Sequence, residues 1–202
     1  MSQSDINTSP FRFFDNREKY LLFVNTCNEK QVIAERISMD VKYLRPSSLG
    51  LRVFDAGMGD GRVAMGFSHL APTHQVLGIE YDPILFNQAV SALDRLCKKK
   101  VVDPSRLHLV QGNYLDFSDY QPLQEHLRGP CLVMNYPETR LGNHERLAEF
   151  LENNLSHEVR LCLLSHNKLF KAGQFEQDSC HEIQATDGSV WWASLLKLRE
   201  VQ

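Results

Sequence analysis

Short apolar runs alternate along this chain with segments whose apolar residues recur every three to four positions. The short runs predict β-strands, and the recurring pattern predicts amphipathic helices. The predicted strands lie in Leu51–Asp55, Gln75–Glu80, Arg106–Asp116, Cys131–Glu138 and Val159–Ser165. The predicted helices are Asn28–Tyr43, Arg62–Leu70, the stripe Ile84, Ala89, Val90, Leu93 and Leu96, and Asn143–Leu155. Alternation of strands and helices predicts an α/β fold with a mostly parallel sheet.

The C-terminal part of the chain has a different pattern. His181–Thr186 and Ser189–Leu198 flank Asp187-Gly188, a dipeptide typical of two-residue hairpins. An antiparallel hairpin is therefore predicted to close the sheet. Earlier in the chain, Asp82-Pro83 predicts a helix start, with aspartate as the N-cap and proline at the first helical position.

The segment Val53–Gly61 reads Val-Phe-Asp-Ala-Gly-Met-Gly-Asp-Gly, a strand that runs into a glycine-rich turn. Glycines at alternate positions (Gly57, Gly59 and Gly61) free the backbone and remove every Cβ from one side of the turn, so a ligand can lie against the peptide. The next predicted strand ends in Glu80, where a carboxylate can accept hydrogen bonds from ribose hydroxyls. The glycine-rich turn and Glu80 together predict a site for a nucleoside-containing cofactor.

The spacing of the glycines distinguishes between cofactors. A dinucleotide fingerprint that starts at Gly57 needs a glycine at position 62, where this chain has Arg62. The acid that opens the motif, Asp55, suits a positively charged ligand better than a pyrophosphate. S-adenosylmethionine carries an ammonium and a sulfonium and no phosphate. The segment resembles motif I of the class I S-adenosylmethionine-dependent methyltransferases.

This resemblance extends over about residues 50–200. It implies that Glu80 binds the ribose diol, that Tyr81 packs on the adenine ring, and that Asn113 stands where the family usually has Asp, with an amide oxygen that can still accept from the adenine amino group. The cofactor-binding residues implied are Asp55, Gly57, Met58, Gly59, Glu80, Tyr81, Asn113, Tyr114 and Asn135, and no metal site is expected.

The resemblance also implies a fold and a division of the chain. We expect a Rossmann-like methyltransferase fold, with a mostly parallel seven-stranded sheet and a C-terminal antiparallel hairpin. Residues 46–202 would form the S-adenosylmethionine-binding domain. Residues 1–45 would form an N-terminal helical or lid segment, although the aromatic residues there could equally cover a sheet edge.

The candidate catalytic residues lie after the fourth strand, in Asn135-Tyr136-Pro137-Glu138. This segment is similar to the Asn/Asp-Pro-Pro-Tyr corner of amino-group methyltransferases, whose first residue accepts hydrogen bonds from the attacking nitrogen. It keeps Asn135 and Pro137 and departs elsewhere. We expect Asn135 or Tyr136 to orient an amine or hydroxyl, and Glu138 to act as a base or an ammonium anchor. The alternative is a proline-terminated strand with a solvent-facing glutamate.

A second base candidate, His166, follows the fifth predicted strand. In a parallel α/β sheet, ligands bind beyond the carboxyl ends of the strands, so this histidine falls on the same rim as the corner after the fourth strand. The alternative for a lone histidine at this position is a structural residue held by hydrogen bonds.

Composition restricts the partners and the location. The 202 residues, 43% hydrophobic, suffice for one substantial core. A net charge of −3 gives no basic footprint, which disfavours a nucleic-acid acceptor and favours a small molecule or a protein side chain. Five widely spaced cysteines without a Cys-x-x-Cys pair predict reduced thiols rather than disulfides or zinc. A polar N-terminus and the absence of a long apolar run predict a cytoplasmic protein that does not contact membranes.

Three classes of function fit these features. The first is an S-adenosylmethionine-dependent methyltransferase acting on nitrogen or oxygen. The second is another enzyme on the same scaffold, either an aminopropyltransferase, whose usual acidic pair is missing from Met134–Pro137, or an NAD-dependent oxidoreductase, which Arg62 disfavours. The third is a non-catalytic cofactor-binding subunit, which would have no need of an intact Asp55 and Glu80. Cofactor titration separates the second class from the first, and turnover separates the third.

Overall fold

A computed structural model describes residues 29–40, 51–70, 75–114, 116, 131–135, 143–154, 159–184, 188 and 190–198. The first half contains α1 (Glu29–Asp40), β1 (Arg52–Ala56), α2 (Arg62–Leu70), β2 (Gln75–Glu80), α3 (Pro83–Lys98), a 3₁₀ turn (Pro104–Arg106) and β3 (Leu107–Gln111). The second half contains β4 (Cys131–Asn135), α4 (Asn143–Asn154), β5 (Val159–Ser165), β6 (Lys171–Ala172), β7 (Phe175–Gln184) and β8 (Val190–Leu198).

The strands form one sheet in the order β3-β2-β1-β4-β5-β8-β7-β6. Strands β1 to β5 pair in parallel, whereas β8 pairs antiparallel with both β5 and β7. The strand order reverses between β1 and β4, which opens a crevice at the carboxyl ends of the parallel strands. The prediction of a mostly parallel sheet closed by an antiparallel hairpin is confirmed.

The sheet has eight strands among the described residues, one more than the seven predicted, because β6 adds a two-residue strand beside β7. Strand β7 also begins at Phe175, six residues before the predicted start at His181. Its first half is too polar to show an alternating pattern. A bulge between Gln177 and Ser179 presents Asp178 to Arg160 (3.6 Å) and Lys197 (3.5 Å), so ion pairs replace the apolar contacts there.

Distant carboxylates hold the turn between β6 and β7. The backbone N–H of Gly173 donates to the carboxylate of Glu145 over 2.7 Å, and the N–H of Gln174 donates to that of Glu152. Both acids lie on α4, more than twenty residues away in sequence. This turn therefore depends on contacts that no local pattern reveals.

We expect Gly173→Ala to lower the free energy of unfolding by about 2–3 kcal/mol. Gly173 has a φ of +54°, and a Cβ there would overlap Glu152 Oε1 and lie 3.3 Å from the Cβ of Ala148. Denaturant titration gives the value. Gly188→Ala is the matched control, because its φ is +84° but nothing lies within 4 Å of the added Cβ. Equal losses in both variants would show that only backbone strain matters.

Helices pack on both faces of the sheet. On one face, α1, α2 and α3 cover a cluster that includes Ile33, Ile37, Val53 and Ala89. On the other face, α4 covers a cluster that includes Phe54. Helix α1 is the described part of residues 1–45, and it packs against the core cluster on the first face of the sheet. The lid interpretation of the other residues in that segment lies outside the described residues.

The predicted helices after β2 and after β4 are present with small differences. Asp82 caps α3 as predicted, since its side chain accepts from Ile84 N (2.8 Å) and Leu85 N (3.2 Å). The prediction that Ile84 joins the apolar stripe is wrong, because its side chain is 44% exposed. Phe86 packs against the core instead.

No helix within the described residues is long and apolar enough to cross a membrane.

Candidate functional site

The glycine turn connects β1 to α2 at the reversal of strand order. Gly57, Gly59 and Gly61 all have positive φ (+79°, +61° and +76°), a conformation that disfavours any side chain. The N–H groups of Gly57 and Met58 donate to Ile79 O over 3.0 and 2.9 Å, which ties the turn to β2. The glycines are therefore required by backbone conformation. Packing also requires the glycine at Gly61, because a Cβ there would lie 2.9 Å from Met65 Cε and 3.0 Å from Ala89 Cβ.

The carboxylate of Glu80 joins the glycine turn to the start of α3. Its Oε2 accepts from Gly59 N over 2.8 Å, and its Oε1 accepts from Asp82 N over 2.7 Å. The residue is buried, with 8% of its surface exposed. Because a carboxylate oxygen can accept more than one hydrogen bond, these contacts are compatible with ligand hydroxyls at the same group. Glu80 thus fixes the turn as well as facing the site.

Two further acids accompany the turn. Asp55 is buried in β1, in register between Gly78 of β2 and Met134 of β4. Asp60 follows Gly59 and pairs with Arg62 over 2.8 Å. This ion pair joins the two side chains that flank Gly61.

The predicted adenine-binding residues lie at the ends of β2 and β3. Tyr81 is 75% exposed beside the buried Glu80, which leaves its ring accessible to a flat ligand. Asn113 and Tyr114 follow β3 and are half-buried. A Cβ at Gly57 would lie 3.6 Å from the Tyr114 ring, so this ring closes one side of the space over the turn.

Met58 occupies a different place from the other predicted cofactor residues. Its side chain is buried in the core cluster under α2 rather than on the open side of the turn. Its N–H donates to Ile79 O and its carbonyl accepts from Gly61 N over 3.1 Å. Met58 therefore supports the turn from beneath.

Asn135 ends β4 and lies in register between Ala56 and Leu163. Its Nδ2 donates to Ala56 O over 2.8 Å, and because a carbonyl only accepts, this contact sets the orientation of the amide. Oδ1 is buried and has no hydrogen-bond partner within the part of the chain that the structure describes. A buried acceptor without a partner is unfavourable, so this atom marks a place where a ligand donor would be stabilised. Tyr136 and Glu138 lie outside the described residues.

His166 follows β5 on the same rim. Its Nδ1 lies 3.0 Å from Val190 O, and its ring packs on Trp191 with centroids 3.9 Å apart. Since the carbonyl must accept, Nδ1 carries the proton and Nε2 is the acceptor in the neutral ring. The hydrogen bond expected of a structural histidine is present, and Nε2 is the ring nitrogen that it leaves as an acceptor.

The thiol of Cys131, at the start of β4, is not a nucleophile. Burial raises the pKa of the Cys131 thiol to about 12, so it remains protonated at neutral pH. Cys97, Cys162 and Cys180 are free thiols as well.

No protein-family model matches this sequence, and no curated protein matches it. Solved structures are similar. An RNA methyltransferase from Salinibacter ruber in complex with S-adenosyl-L-homocysteine is 17% identical, with a TM-score of 0.55 over 84% of this chain and 92% of that one. TrmK from M. capricolum, in complex with S-adenosyl-homocysteine, is 10% identical with a TM-score of 0.52 over 83% and 71%. A precorrin-6y C5,15-methyltransferase from Geobacter metallireducens is 15% identical with a TM-score of 0.53 over 80% and 85%.

These likenesses identify the architecture. The chain has the Rossmann-like fold of the class I S-adenosylmethionine-dependent methyltransferases, as the sequence predicted. In that fold, the glycine turn and Glu80 lie at the reversal of strand order between β1 and β4. At identities of 10–17%, the comparison extends to the fold and not to individual site residues.

Proposed function

We propose that this protein is an S-adenosylmethionine-dependent methyltransferase. The observation that carries the proposal is the buried Glu80 carboxylate bonded to Gly59 N at the open side of a turn with three glycines of positive φ. The turn gives bare peptide for a nucleoside and amino-acid ligand, and the carboxylate gives an acceptor for its ribose. Two proteins of the same fold are described with S-adenosylhomocysteine bound.

The chemistry of the residues present suits the parts of this cofactor. Glu80 would hold the ribose hydroxyls, the exposed Tyr81 ring would pack on adenine, and Asn113 would accept from the adenine amino group. The buried Asp55 carboxylate would favour the cofactor's positive charge. When bound, the cofactor supplies an electrophilic methyl group.

Asn135 would act at the acceptor end. Its Oδ1 faces away from Ala56 O and can accept a hydrogen bond from an amine or hydroxyl, which aligns the lone pair of the attacking atom. Alignment and exclusion of water are the main contributions that a protein makes to a displacement of this kind. Tyr136 as an orienting residue and Glu138 as a base or ammonium anchor remain predictions.

A base matters only where the acceptor arrives protonated. His166 can then receive the acceptor's proton at Nε2, because the bond to Val190 O holds its Nδ1–H. Trp191 keeps the ring in that orientation. Glu138 and His166 are therefore alternative bases.

We propose that the acceptor is a nitrogen or oxygen of a small molecule or a protein side chain. The net charge of −3 supports this, since a nucleic-acid acceptor is usually bound on a basic surface. Neighbours of the same fold include proteins described as RNA and tRNA methyltransferases, so RNA is the second candidate. A labelled-methyl assay with small amines, phenols, cell proteins and total RNA separates these acceptors.

Calorimetric titration with S-adenosylhomocysteine tests the cofactor assignment. We expect binding of micromolar order, about −8 kcal/mol, without added metal. NAD is the control ligand, since the glycine spacing disfavours a pyrophosphate. Binding of NAD in place of S-adenosylhomocysteine would favour the oxidoreductase alternative. Cofactor binding without turnover on any acceptor class would favour the non-catalytic subunit.

A further inference from the structure

Gly78 lies in the middle of β2, directly beneath the glycine turn. It is in register between Asp55 of β1 and Leu109 of β3. The side chain of Met58, which comes from the turn, occupies the space above it. A residue of the turn and a residue of the neighbouring strand therefore fill one site in the core.

The space above Gly78 is too small for any side chain. A Cβ at this position would overlap Met58 Sδ and would lie 3.3 Å from Leu109 Cδ2 and 3.4 Å from Met58 Cγ. Gly78 is not among the described glycines with positive φ, so its backbone conformation is open to alanine. Glycine is required here by packing alone.

A methyl group at position 78 would require the Met58 thioether to repack. Its side chain is 5% exposed and belongs to the core cluster, so it would have to repack among buried neighbours. Its N–H and carbonyl are bonded to Ile79 O and Gly61 N. Displacement of the thioether would therefore strain the bonds that hold Gly57 and Gly59 against β2 and Glu80.

We propose that Gly78 and Met58 are a positioning pair that sets the distance between the glycine turn and β2, and through it the affinity for the nucleoside cofactor. This inference rests on the proposed function. The pair would act without a side-chain contact to the ligand, because the Met58 side chain packs in the core and Gly78 leaves the space that it fills. The pair acts through Gly59, whose N–H donates to Glu80.

The first test is Gly78→Ala, titrated with S-adenosylhomocysteine. We expect the dissociation constant to rise about tenfold in a protein that retains its near-UV circular dichroism. Gly66→Ala is the matched control. A Cβ there would meet Ala34 Cβ at 2.9 Å, between α2 and α1, so it introduces a comparable clash away from the turn. Its melting temperature should fall while its affinity stays within about twofold of the wild type.

The second test is rescue. Met58→Ala removes the Cγ and Sδ atoms that a methyl group at position 78 would meet, so Gly78→Ala/Met58→Ala should bind S-adenosylhomocysteine more tightly than Gly78→Ala. If Gly78→Ala does not fold, recovery of both fold and binding in the double variant supports the proposal. The proposal is overturned if the losses of affinity in the two single variants simply add in the double variant. It is also overturned if a folded Gly78→Ala variant binds S-adenosylhomocysteine with unchanged affinity. If the wild type itself does not bind S-adenosylhomocysteine, the proposed function fails instead.

Discussion

Replacing Asn135 with alanine is expected to lower the rate of methyl transfer about a hundredfold, with a much smaller change in affinity for S-adenosylhomocysteine. The Nδ2 bond to Ala56 O fixes the amide, and Oδ1 is left to align the acceptor. Loss of an aligning contact that displaces the reacting atoms by about 1 Å can reduce the rate by this factor. The measurement is kcat with an acceptor found in the labelled-methyl screen, alongside calorimetry with S-adenosylhomocysteine.

Asn153 provides the matched control for this variant. Its Nδ2 also donates to a backbone carbonyl, Glu149 O at 2.9 Å, but on the exposed surface of α4. Asn153→Ala should leave kcat unchanged. If Asn135→Ala weakens S-adenosylhomocysteine binding as much as it slows transfer, Asn135 serves the cofactor rather than the acceptor. If Asn135→Ala keeps full activity, the residues that align the acceptor lie elsewhere than the corner after β4.

Variants of Tyr136 and Glu138 test the roles predicted for the remaining residues of the corner. Loss of rate in Tyr136→Phe alone would indicate orientation by the hydroxyl, and loss in Glu138→Gln alone would indicate a base or an ammonium anchor. His166→Gln tests the alternative base. A base is identified by loss of a pH-dependent step in kcat/KM, since an aligning residue would lower the rate at every pH.

Glu80→Ala is expected to weaken S-adenosylhomocysteine binding by about 2–3 kcal/mol, roughly 30- to 150-fold. Truncation removes the acceptor proposed for the ribose hydroxyls and also leaves Gly59 N and Asp82 N without the oxygens they now contact. The protein should still fold, because Asp82 continues to cap α3 through its own side chain. Calorimetry gives the affinity and thermal unfolding gives the stability.

The two contributions of Glu80 can be separated with a modified ligand. The 2′-deoxy analogue of S-adenosylhomocysteine should bind the wild type more weakly than the parent ligand, whereas Glu80→Ala should bind both alike. Glu182→Ala is the control, since Glu182 is an exposed carboxylate on β7 that accepts from Gln184. A folded Glu80→Ala variant with unchanged affinity would contradict the assignment of β2 to ribose binding.

The sequence by itself determined the parts of this protein that depend on neighbouring residues. Backbone freedom at Gly57, Gly59 and Gly61 follows from the absence of a side chain, and the Asp82 cap acts within three residues of its own position. The apolar run Val159–Ser165 predicts a strand buried on both faces without reference to its partners. For such features, pattern and structure agree.

Only the tertiary structure decided the features that join distant parts of the chain. The turn after the two-residue strand β6 is held by Glu145 and Glu152 of α4, while β6 itself pairs with β7. The orientation of the Asn135 amide depends on Ala56, 79 residues earlier. Likewise, Met58 follows β1 and packs over Gly78 of β2. His166 follows β5 and bonds to Val190 of β8. A sequence pattern reports periodicity within one element, whereas these contacts arise from the register of strands that the chain order does not make adjacent.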